Sequence, residues 1–130
     1  MTTAGGNGVL ILSEIIHIYA ADCAGGGYTN AQCVNLDQNV FLNRIVIGNS
    51  TLRQSNFGTP NPAYLTANGN IGPTDYLTKS DDVATNFTSI SLADGQVAYV
   101  VEGYFASPLL SFLGNWDQNG TAGVYSLSVF

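Results

Sequence analysis

The sequence predicts an α+β fold that is mainly β: an antiparallel sheet of four or five strands with one or two short helices packed on it. Three observations lead there. Charged residues make up only 9% of the chain, against about a quarter in average soluble domains, and Gly, Asn, Ser and Thr take their place as in turn-rich β proteins. Stretches rich in β-branched and aromatic residues recur at Val9–Tyr19, Val40–Ile47 and Val97–Phe105, and an alternating one closes the chain at Gly123–Phe130. Helical spacing is confined to one short stretch.

Residues 1–8 are small and read as a flexible linker, and 9–130 as one domain, long enough to bury a core without a metal. Val9–Tyr19 contains no Gly or Pro and is apolar at both parities, so it is the expected central strand, covered on each side. With Ser13, Glu14 and His17 inside it, the stretch is too short and too polar to cross a bilayer, which takes about twenty apolar residues. Ala20–Gln38 is a long polar connection that needs its own restraint. Cys23 and Cys33 supply one. A disulfide between them would stabilise by roughly 2 to 3 kcal/mol; two free thiols or half a metal site are the competing readings, disfavoured because there is no Cys-x-x-Cys spacing and one His.

Val40–Ile47 is the second strand, ended by the turn Gly48-Asn49-Ser50, and Leu52–Phe57 is a candidate edge strand. Gly58–Thr74 reads as an extended loop. Ser80 caps a predicted helix of about ten residues, with Asp81 and Asp82 in its first turn and Val83, Phe87 and Ile90 on one face. Val97–Phe105 and Gly123–Phe130 are the last strands. Sequence neighbours usually pair, so the expected sheet joins the pair 9–19 with 40–47 to the pair 97–105 with 123–130.

Nine acidic and three basic residues give a net charge of −6, which removes the electrostatic attraction that nucleic acids and anionic membrane surfaces require. The first residues have neither the basic start nor the apolar core of a signal peptide. Two cysteines and few basic residues nevertheless suit an oxidising compartment. Both features are consistent if Met1 begins a fragment whose export segment lay upstream.

Catalytic chemistry is hard to place. There is no nucleophile elbow, phosphate loop, dinucleotide fingerprint or His-Glu-x-x-His motif, so no catalytic residue, cofactor, metal ligand or small-molecule substrate is assigned. The single His17 reads as a buried, hydrogen-bonded strand residue. Glu14 and Glu102 are the only glutamates. With Arg44 they read as a structural ion-pair cluster on one sheet face, since isolated buried charges are too costly, and a small hydrolase using both carboxylates is the weakest reading. Asp117–Thr121 has the first half of a calcium loop without its closing Glu, and a hairpin turn before the last strand, the favoured reading, accounts for the same residues.

The strand Gly8–Tyr19, the stretch Phe41–Gly58 with Arg44-Ile45-Val46-Ile47-Gly48-Asn49, and Asp94–Phe105 together resemble the carboxy-terminal, exported part of the TadE/TadG-like proteins, minor pseudopilins of the tight-adherence (Flp-type) pilus apparatus. The likeness runs through most of the chain, but the prepilin-type helix that opens family members is not in this sequence. The resemblance implies a non-catalytic assembly domain, periplasmic or on the cell surface. It also implies partners among pilus-assembly proteins or pilin-like subunits, and membrane attachment only through an upstream helix. Leu109, Leu110, Phe112, Leu113 and Trp116 concentrate apolar residues between two strands and are the expected docking patch, or alternatively a cap on the core. Asn- and Gly-rich loops with seven tyrosines motivate the alternative of a carbohydrate- or calcium-dependent adhesin.

Overall fold

The computed structural model describes residues 5–88, 90–106 and 123–130. Its strands are β1 (Gly8–His17), β2 (Asn39–Gly48), β3 (Val97–Ala106) and β4 (Gly123–Val129), and its helices are α1 (Ala20–Gly25) and α2 (Pro73–Thr78). The four strands form one antiparallel sheet in the order β2-β1-β3-β4. The expected strand pairs are therefore present, and β1 joins them by pairing with β3.

Register assigns the two faces. On β1, Val9, Ile11, Ser13 and Ile15 point to one side, which we call the inner face. Ile11 lies opposite Glu102, and Ser13 lies opposite both Arg44 and Val100. A register shift between Glu14 and Ile15 then brings Phe41 onto the same side as Ile15. The inner face is covered by the long connection between β2 and β3. Phe57, Ile71, Ala84, Phe87 and Leu92 pack there against Ile15, Phe41, Ala98 and Val100. The Phe57 and Phe87 rings meet edge to face, 5.5 Å apart.

A second cluster closes one end of the sheet, where Cys23, Cys33, Ile18, Val40 and Leu77 are buried together. Cys23 and Cys33 form a disulfide, the restraint expected of the 20–38 connection. Asn35 ties this corner down by donating to the carbonyls of Tyr76 and Lys79, both at 2.8 Å.

The connection over the inner face departs from its sequence reading. The helix expected from Ser80 is only a 3-10 turn, Ser80–Asp82. Val83 instead bridges Val40, the Ala84 N–H donates to Asn39 at 2.8 Å, and Asn86 turns left-handed at φ 57°. The open edge of β2 satisfies these backbone groups, whereas a short helix must bear the cost of nucleation. Residues 52–57 form no strand, because Ser55 and Asn56 bond to Glu102. The helix of this region is α2, with Pro73 preset for its first turn, and it begins inside the expected loop.

The 3-10 turn buries Asp82, whose two carboxylate oxygens have no hydrogen-bond partner among the described residues. Burial, with Asp75 and Asp81 adding to it against an opposing Asn61 backbone contact, raises its pKa from 3.8 to about 6. Between those values the folded protein keeps a proton that the unfolded chain has released. Stability therefore falls as pH rises through this window, then levels above it. Asp82→Asn is expected to match the parent near pH 4 and to exceed it at pH 7 in thermal midpoint. Equal midpoints at pH 7 would refute this assignment.

Candidate interaction surface

The opposite side of the sheet, the outer face, carries the other parity of each strand. Rows run across it from β2 to β3: Ile47, Leu10 and Gly103, then Ile45, Leu12 and Val101, then Asn43, Glu14 and Tyr99. Phe105 stands at one end of β3, and Phe130 pairs its backbone with Tyr99 at the other. Ile45 is 39% exposed, Ile47 42%, Tyr99 51% and Phe105 54%. Coverage on both sides was expected from strands apolar at both parities. Among the described residues, only the inner face is covered. An apolar patch spread contiguously over several strands is uncommon on a soluble monomer and marks an interaction site.

The inner face holds the charged residues singled out from the sequence. Arg44 donates from Nη2 to the Gly58 carbonyl at 2.8 Å and lies over the Phe41 ring, 4.5 Å from its centroid. Glu102 accepts from the Ser55 hydroxyl and from the Asn56 N–H. The same hydroxyl receives a long contact from Arg44 Nη2 at 3.5 Å, so Ser55 stands between the two charges. Burial pulls the Arg44 pKa down to about 10, with the Glu102 charge opposing, and the guanidinium stays charged at neutral pH.

Glu14 is not part of this arrangement. Its register, opposite Asn43 and Tyr99, puts it on the outer face. Arg44 and Glu102 share the inner face with the Ser55 hydroxyl between them, and Glu14 does not join them there. This placement also separates Glu14 from Glu102 by the thickness of the sheet, so the two carboxylates do not converge on one substrate as paired acid–base catalysis requires.

His17 Nδ1 is 3.0 Å from Asn39 Oδ1, and its ring meets Tyr19 edge to face. The Tyr19 hydroxyl in turn donates to the Leu92 carbonyl at 2.7 Å. The polar groups at this end of β1 thus hold neighbouring segments in place. Among the described residues, no group of three or more His, Cys, Asp or Glu side chains is placed to hold a metal ion, and no helix is long and apolar enough to cross a membrane. Leu109, Leu110, Phe112, Leu113 and Trp116, like Asp117–Thr121, lie outside the described residues.

The sequence signal for the outer face was the double parity of the strands, from which no particular surface was singled out. What it lacks is an indication of which parity the long connection covers. Comparison with protein-family models, curated proteins and solved structures finds no match to this chain.

Proposed function

We propose that this chain is a non-catalytic assembly domain of a pilus-like machine, exported to the periplasm or cell surface, of the kind its resemblance to the TadE/TadG-like minor pseudopilins implies. The observation that carries the reading is the exposed apolar surface of the outer face, which carries Ile45 and Ile47 on β2 and Tyr99 and Phe105 on β3. In this reading a pilin-like subunit packs on that face. The Cys23–Cys33 disulfide supports export, since such bonds persist in oxidising compartments. The separation of Glu14 from Glu102 favours assembly over hydrolysis.

The test is to introduce Ile47→Asp and Phe105→Asp singly into the pilus system that encodes the chain. Both side chains are already substantially exposed, so thermal midpoints should stay near the parent value. Co-purification with the pilin-like subunits and the number of assembled pili should fall by roughly tenfold or more, as expected for a charge buried within an apolar interface. Undiminished assembly with both variants removes the outer face as the docking surface. Cooperative unfolding of both variants shows instead that the face is core.

A further inference from the structure

A second surface lies along the outer edge of β2, which has no neighbouring strand on that side among the described residues. Half of this edge is filled by the chain itself. The Ala84 and Ile71 N–H groups donate to Asn39 and Leu42, and the Arg44 N–H donates to Gly69. Gly69 sits at φ +79°, where a Cβ would run into the Arg44 carbonyl, so this close approach depends on glycine. From Ile45 onward the filling stops. Among the described residues no backbone group bonds the outer side of Ile45–Gly48.

Parity identifies which groups are left. The Arg44 N–H points outward to Gly69, and the Asn49 N–H points inward to Gly8, so odd-numbered residues face β1 and even-numbered ones face away. The N–H and C=O of Val46 are therefore directed away from the sheet, and Gly48 lies on the same outward parity. Natural edges are usually blunted by charges, Pro or bulges. Ile45, Val46 and Ile47 carry none of these, and all three side chains are exposed, Val46 at 44%.

We infer that this edge pairs with the same edge of a second copy of the chain, antiparallel about a two-fold axis at Ile47. Val46 of each copy then faces Gly48 of the other, and Ile45 faces Asn49. This register needs a free edge from Ile45 to Asn49 and nothing beyond it. The structure provides that stretch: the Gly69 turn occupies the edge at Arg44, and the chain turns away after Asn49 through a Leu52 N–H bond to the Asn49 carbonyl. A register centred on Val46 would set Gly48 of one copy against Arg44 of the other, where Gly69 already sits. The two-fold pairing joins two sheets into one of twice the width. It uses backbone groups at the edge, so it stands independently of what docks on the outer face.

Sedimentation velocity over a wide concentration range tests the pairing. The expected result is a reversible monomer–dimer equilibrium that tightens with added salt, because each copy carries −6 while the edge itself is uncharged. Val46→Pro removes an outward N–H, which an edge strand tolerates, and should raise the dimer dissociation constant by roughly tenfold or more. Amide exchange provides a readout without substitution: the Val46 N–H should become protected as concentration rises, while the inward Ile45 and Ile47 amides are protected throughout. A monomer at every concentration overturns the inference and leaves the edge to another strand. So does a dimer that forms while Val46 exchange stays concentration-independent.

Discussion

Arg44→Met is expected to lower the stability of the domain by about 3 kcal/mol, the scale of losing a buried charged group with its hydrogen bond and its attraction to a nearby buried carboxylate. Arg44 is 5% exposed and Glu102 2%. Methionine keeps an apolar stem against Phe41 but gives nothing to the Gly58 carbonyl, and Glu102 loses the attraction of a nearby positive charge. The Ser55 hydroxyl and the Asn56 N–H still reach Glu102, which limits the loss. Combining Arg44→Met with Glu102→Gln should recover part of the stability, since the buried negative charge that Arg44 helps to offset is then gone. Equilibrium denaturation of the single and double variants measures both effects. An unchanged midpoint in Arg44→Met would refute a stabilising role for the buried guanidinium.

Arg44 and Glu102 show how far the sequence could be read. Charged residues in the middle of apolar strands must be compensated, and that reasoning singled out Arg44 and Glu102. The same reasoning included Glu14, which belongs to the outer face. Its placement follows from register, including the shift beside Ile15, and a one-residue difference in register exchanges the faces of a strand. Strand order was legible because the β-branched runs are long and sequence neighbours pair. The Ser80 helix was not, because its capping and spacing signals are local, while the β2 edge that captures Val83 and Ala84 is brought near only by tertiary structure. Pro73 marked the start of α2, but the surrounding Gly and Asn residues resembled loop. The interaction surface was legible only as surplus apolar residues. Which face keeps that surplus depends on where Phe57, Ile71 and Phe87 land.

Removing the Cys23–Cys33 bond, by the paired substitutions Cys23→Ala and Cys33→Ala, is expected to lower stability by roughly 2 to 3 kcal/mol, the scale of loop-closure entropy for so short a span. Both sulfurs are buried with Ile18, Val40 and Leu77, so truncation also removes packing at that end of the sheet. The loss should nevertheless be local. The inner-face cluster around Phe41, Phe57 and Val100 contains neither cysteine, and β1 keeps its ladders to β2 and β3. The turn around Cys33 retains its own bonds, including Cys33 N–H to Thr29 and Asn35 to Tyr76 and Lys79. The double variant should therefore melt earlier as a cooperative unit, with amide protection lost first in α1 and the following loop and kept in β1 and β3. Loss of protection across the whole sheet in native buffer would show that the bond is required for folding. A midpoint equal to the parent's would show that the folded corner holds the 20–38 connection without it.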